Sequence, residues 1–169
     1  MYQPDYDSAA SHWIERDSNS VHMEPATLKE KNEAFISVHN TCALATASAD
    51  IVRNTPIEFN YVDSCFYFFY EGGLKFKGLK ENKNVDIAIF EPYGGFGQLE
   101  SLQVQGEASM VEPFSEEYLK LMEHKKISVE AMKKLPQAMN LIKVVPISYD
   151  YLDSDLKKDG FGSRQHLDV

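Results

Sequence analysis

The chain has 169 residues, is 43% hydrophobic and 12% aromatic, and carries a formal net charge of −9. That length supports one packed core, and the apolar content excludes a disordered chain. The charge argues against a general nucleic-acid binder and against an anionic membrane surface as partner, but leaves room for a local basic pocket.

The opening stretch, "MYQPDYDSAASHWIERD", lacks a basic segment followed by an apolar one, so no secretory signal is expected. No apolar run approaches the roughly 18 residues of a membrane span. A cytoplasmic protein with no membrane partner is the expectation. Cys42 and Cys65 are the only cysteines and form no C-x-x-C pair, so no disulfide framework is expected. Cys42 reads as a small buried residue and Cys65 as a free thiol.

In chain order, residues 8–17 read as a short helix. A second helix follows Pro25, with Thr27 as its cap, Glu30 at the capping-box position, and Leu28, Phe35 and Val38 on one stripe. The period then changes. "TCALATAS" (41–48), "ADIVRNTPIEFNYV" (49–62) and "SCFYFFYE" (64–71) read as sequential strands of a meander, with turns near Ala49–Asp50 and Asp63–Ser64. "KFKGLKENKNV" is a helical turn, "VDIAIFE" (85–91) a strand and "PYGGFG" (92–97) a loop. Glu100–Glu112 reads as a long strand in which Gly106 marks a bulge or a close backbone approach. Ser115–Lys125 and Ser128–Leu135 read as helices. Asn140–Leu152 is the last strand, and Pro146 is expected to push part of it to an edge. The economical packing is mainly β: six antiparallel strands closed into a small barrel with flanking helices. One domain is expected over residues 1–169, with a helical segment at about 8–40, the barrel at about 41–152 and a tail at 153–169.

"CALATAS", "VRNTPIEF", "FYFFYEGGLKFKGLKENKNVDIAIF" and "LQVQGEASMVE", in this order and spacing, resemble the FMN-binding split-barrel superfamily, the pyridoxamine 5'-phosphate oxidase-like proteins. The resemblance implies a six-stranded split barrel and a homodimer with the flavin at the subunit interface. It also implies a flavin-dependent oxidoreductase acting on a small molecule. FMN is the implied cofactor, with coenzyme F420, FAD and haem as alternatives; a flavin or haem carrier, or a stress-related protein, is the alternative function. The implied cofactor-binding set is Arg53, Asn54, Thr55, Pro56, Phe69, Tyr70, Gly73, Leu74, Lys75, Ser101 and Gln103.

The chemistry of that set is coherent. FMN presents a dianionic phosphate and a flat ring, which call for cations, backbone donors and an apolar slot. Arg53 and Lys75 are the two cations, and period two places Arg53, Thr55 and Ile57 on one strand face. Lys75 follows the Gly72–Gly73 turn, which can present N–H groups to an anion. Lys77 reads as solvated. Ser101 or Gln103 is the side-chain partner for ribityl or ring oxygens. There are departures from the family pattern. The family's enzyme has Ser-Arg-Lys at this turn, where the chain has Gly73–Leu74–Lys75, and it has a glutamine where the chain has Ser101. Its arginine–histidine ending is matched only out of pattern, by Arg164 and His166. Turnover of pyridoxamine phosphate is therefore not expected, and no catalytic side chain is assigned.

Trp13 reads either as a core anchor of the first helix or as an aromatic wall near the flavin. Trp13, Arg164 and His166 are the substrate-side candidates. None of His12, His22, His39, His124 and His166 forms an H-x-H or H-x-x-x-H pair, so no metal site is expected. His22 and His166 are the isolated histidines considered for haem.

Overall fold

A computed structural model describes residues 3–169. Its helices are α1 (Tyr6–Ser18), α2 (Pro25–Ser37), α3 (Lys75–Glu81), α4 (Glu116–His124) and α5 (Val129–Lys133). Its strands are β1 (Thr41–Ser48), β2 (Ile51–Glu58), β3 (Asn60–Val62), β4 (Cys65–Tyr70), β5 (Asn84–Phe90), β6 (Glu100–Val111), β7 (Asn140–Asp153) and β8 (Arg164–Asp168). No helix among the described residues is long and apolar enough to cross a membrane.

The strands form one antiparallel sheet in the order β2-β1-β5-β6-β7-β4-β3, with β8 also paired to β7. β2 and β3 are opposite ends of this path, yet Phe59 alone joins them in the chain. The sheet must curl until its two edges meet. The Phe59 N–H donates to the Asn40 carbonyl at 2.8 Å, and its ring packs on Phe66 with 5.3 Å between centroids. The result is a split barrel, as the sequence implied, but with eight strands in place of six. β1 and β2 form the expected hairpin over Ala49, whose φ is 48°. β3 and β4 form another over Asp63 and Ser64, both in the left-handed region that a two-residue turn requires. The simple meander is not formed: the single strand expected over 49–62 breaks at Phe59, and its halves lie at opposite sheet edges.

Inward residues of alternate positions, among them Leu44, Phe66, Phe68, Ile87, Ile89, Leu102 and Val104, fill the barrel. Leu28, Phe35 and Ile36 of α2 plug it. α2 starts at Pro25, not at a Thr27 cap, because proline at the first helical position lacks only a donor that would go unused. Val38, expected on the buried stripe, follows the last helical turn and is exposed.

β4 is buried on both faces, which explains "CFYFFY". Phe66 and Phe68 face the barrel, while Tyr67 and Phe69 join Tyr118, Leu121, Met122 and Met132 of α4 and α5 in a second core. Ser115 caps α4 by accepting from the Tyr118 N–H.

The register of β6 on β7 shifts between Gln105 and Gly106. A Cβ on Gly106 would lie 2.6 Å from Val144 Cγ1 and 2.8 Å from the Val145 carbonyl oxygen, so the residue is both bulge and close approach. Pro146 lies opposite it, at a short local edge where β7 has only β6 as a neighbour. It sits where β7 exchanges one neighbour for another: Asn140–Val144 pair with β4, and Ser148–Leu152 pair with β8. The missing N–H falls in that gap.

The tail is structured. Ser154–Asp159 form a 3-10 turn and β8 extends the sheet. Gln165, 2% exposed, ties β8 to the segment before α2, accepting from the Met23 N–H and donating to the Val21 and Gly162 carbonyls. Because backbone blocks the space at Gly106, Gly106→Ala is expected to cost about 1–3 kcal/mol. Urea unfolding should show a lower midpoint with an unchanged slope.

Candidate functional site

Curling the sheet brings the β2 edge beside the end of β4. β4 finishes at Tyr70, the chain turns through Glu71–Gly73, and α3 begins at Lys75. Gly73 has φ 125°, which other residues rarely adopt, and a Cβ there would lie 3.4 Å from the Tyr70 ring. The turn drops Lys75 inward. Its side chain is almost wholly enclosed (2% of the residue is exposed), and its ammonium stands 3.0 Å from the centroid of the Tyr70 ring. The aromatic face attracts the cation. Lys75 enters no ion pair among the described residues.

Arg53 pairs in register with Thr46 of β1, and the Cβ position of Gly78 in α3 lies 3.4 Å from Thr46, over the same end of the strand. The guanidinium is near enough to act on Lys75. Burial first, and the Arg53 charge second, push the lysine pKa down to about 8 from 10.5. A buried, unpaired cation beside a second cation is unfavourable unless an anion joins them. Lys77 points to solvent.

The expected set is thereby divided. Arg53 and Thr55 lie on the inward strand face with Thr46 and Leu44, and Arg53 comes near Lys75, which stands beside Tyr70 and Gly73, while the Leu74 side chain is largely exposed. Asn54 and Pro56 alternate to the outer face, opposite Ala45 and Ala43. The Phe69 ring lies in the second core, 5.5 Å from the Tyr118 ring. Ser101 and Gln103 belong to the outer face as well. One row runs Pro56, Ala43, Ala88, Gln103, Asp150, His166 across the sheet.

There Ser101 and Gln103 share an open pocket of about 430 Å3 with Asp17, His22, Asp150, Arg164 and His166. Trp13 is no core residue. It is 43% exposed and is flanked by the guanidinium groups of Arg16, at 5.1 Å, and Arg164, at 4.6 Å. His166 Nδ1 is 2.7 Å from Asp150 and Nε2 is 3.1 Å from Asp168, and hydrogen bonding to Asp150 leads the causes that raise its pKa. His22 uses Nε2 to donate to the Asp17 carbonyl.

The sequence reading missed Thr46, an inward polar residue opposite Arg53. It also missed Asn32, a polar residue on the buried stripe of α2. Both break an apolar period, which is a visible signal. Asp150 gave none, because its contact with His166 depends on the β7–β8 register, whereas Asp168 stands two residues from His166 on the same strand face and was within reach of period two.

Fold and mouth together define a split barrel with a two-cation opening beside a glycine turn. The sequence profile of the pyridoxamine 5'-phosphate oxidase family matches residues 28–150, and the chain belongs to that family. No curated protein sequence matches it. Among solved structures, an FAD-binding protein from Mesorhizobium loti is 16% identical with a TM-score of 0.59, over 72% of this chain and 89% of that one. Campylobacter jejuni ChuZ is 19% identical, with a TM-score of 0.65 over 98% of this chain and 70% of its own. HutZ, the heme storage protein of Vibrio cholerae, is 19% identical, with a TM-score of 0.57 over 75% and 91%. At such identities the likeness carries the fold alone.

In NMR titration His166 should titrate above 6.5, and Asp150→Asn should move it downward. A raised folded-state pKa means that the stability from this clasp is complete below about 6.5 and is lost as pH rises through the folded value.

Proposed function

We propose that the protein binds FMN non-covalently and works as a flavin-dependent oxidoreductase on a small molecule. The observation that carries the reading is Lys75, buried without an acidic partner among the described residues and facing the same mouth as Arg53. A phosphate dianion supplies the missing countercharge: the guanidinium grips two oxygens, and the ammonium, held by Tyr70, takes a third. FMN, when bound, supplies the electron-transfer chemistry, while the protein supplies position and electrostatics.

Ser101, Gln103, Arg164 and His166 lie on the outer face, away from the cation mouth. A homodimer packed through the outer face would bring a second subunit's polar row to the flavin bound by the first. The low profile of Ala43, Ala45 and Ala88 on that face supports such an approach. His166, with both ring nitrogens engaged by carboxylates, must release one before it can ligate iron. FMN is therefore preferred to haem.

A charge-assisted hydrogen bond contributes about 1.5–3 kcal/mol. Lys75→Ala should therefore weaken FMN binding roughly ten- to hundredfold, and Arg53→Ala at least as much. Lys77→Ala should change nothing. Riboflavin, which lacks the phosphate, should bind more weakly to the wild type and be indifferent to Lys75→Ala. Fluorescence titration measures all of these, and equal losses for FMN and riboflavin would remove the phosphate assignment. Reduction of bound flavin by NADH or NADPH, followed by reoxidation by an acceptor, distinguishes an oxidoreductase from a carrier.

The same lysine makes binding pH-dependent. It is protonated below about 8, so FMN affinity should hold up to that pH and decline above it. Lys75→Arg should abolish the decline. In the ligand-free protein the sign is reversed. A depressed lysine pKa penalises folding below about 8, and the penalty disappears as pH rises from there towards 10.5. Lys75→Met should stabilise the ligand-free protein at pH 7 by about 1–3 kcal/mol, read by urea unfolding, while weakening FMN binding.

A further inference from the structure

A second cavity, of about 330 Å3, opens where α2 meets β3, β7 and β8. Pro25, Ile36 and Leu167 give it apolar walls, and Tyr61 and Tyr149 bring aromatic rings and hydroxyls. It shares no residue with the Arg53–Lys75 mouth or with the outer-face pocket. Lys29 contributes a positive charge and Glu33 and Asp168 negative ones, Asp168 being the carboxylate that also meets His166, so the wall offers an anion no net attraction.

Asn32 stands in its wall. The residue is 2% exposed, and neither Oδ1 nor Nδ2 has a hydrogen-bond partner among the described residues. An unmet donor and an unmet acceptor on one buried amide are costly, and few buried side chains are left so. On the stripe Leu28, Asn32, Phe35, Ile36, a leucine would pack without that cost. Nearby, the Tyr61 and Tyr149 hydroxyls meet only at 3.4 Å, a long contact.

We propose that this cavity is a binding site for a neutral planar heterocycle bearing a lactam edge. A primary amide presents donor and acceptor side by side, which matches the carbonyl and N–H of a lactam. Flat apolar walls and aromatic rings suit a planar molecule, and the volume is at the small end of ligand pockets, enough for one or two rings. The amide atoms are closed off from solvent in the ligand-free chain, so binding includes a slight outward movement of α2.

Hypoxanthine is the probe, and purine, which lacks the carbonyl and the lactam N–H, is its matched control. Calorimetric titration of the full chain should show hypoxanthine binding at least about tenfold tighter than purine. Asn32→Leu should remove the difference, and unfolding should show this variant as stable as the wild type or more so. Tyr149→Phe, which keeps the ring, should weaken hypoxanthine without unfolding the chain. Saturating FMN and Lys75→Ala should leave hypoxanthine binding unchanged. Hydrogen exchange on α2 should slow on binding. Equal or absent binding of the two probes at millimolar concentration would overturn the proposal, as would hypoxanthine affinity indifferent to Asn32→Leu. Displacement by FMN, or loss with Lys75→Ala, would overturn the claim of a separate site.

Discussion

The one-residue link between β2 and β3 is the constraint on which the rest depends. These strands lie at opposite ends of the sheet path, and only Phe59 separates them in the chain. A flat sheet cannot satisfy that connection. Closure gives the inner face its core, leaves an opening for α2 to plug, and brings the Arg53 edge to the end of β4, where the glycine turn delivers Lys75. Barrel and cation mouth have the same cause.

Lys75 shows how such a mouth opposes the fold that builds it. Burial works against its charge, and Arg53 adds to the opposition. The Tyr70 ring relieves part of this, but a ring is a weaker partner than a carboxylate. A carboxylate beside Lys75 would steady the ligand-free protein and also compete with any phosphate. On the proposed reading, the ion pair left unmade inside the chain is the one kept for the ligand.

The two faces of the sheet carry different chemistry. The inner mouth is cationic. The outer face carries small side chains at Ala43, Ala45 and Ala88 and a polar row ending in the Asp150–His166–Asp168 clasp. Strand alternation makes this unavoidable: neighbours such as Arg53 and Asn54 point to opposite sides. Joining both faces in one flavin site requires a second copy of the chain, which is why the homodimer belongs to the proposed reading.

Much of this was legible in residues close together in sequence. Period-two runs, the turns at Ala49 and Asp63–Ser64, the Gly72–Gly73–Lys75 spacing and the Ser115 cap are local, and local sterics and hydrogen bonding decide them. The order of the strand pieces was enough to suggest the family. What only the tertiary structure decided is long-range. Phe69 reads as a site residue until α4 is seen covering it. Pro146 reads as an edge residue, but only the pairing shows that the edge is a short gap in which β7 exchanges β4 for β8. Ser101 and Gln103 read as neighbours of Lys75 until the register puts them on the other face with Arg164 and His166. Burial and partners are properties of the folded sheet, and residues joined by hydrogen bonds lie up to 144 positions apart in the chain, as Val21 and Gln165 do. A sequence specifies periodicity and turns through neighbouring residues, whereas which face is covered, and by what, is decided only when distant strands pair.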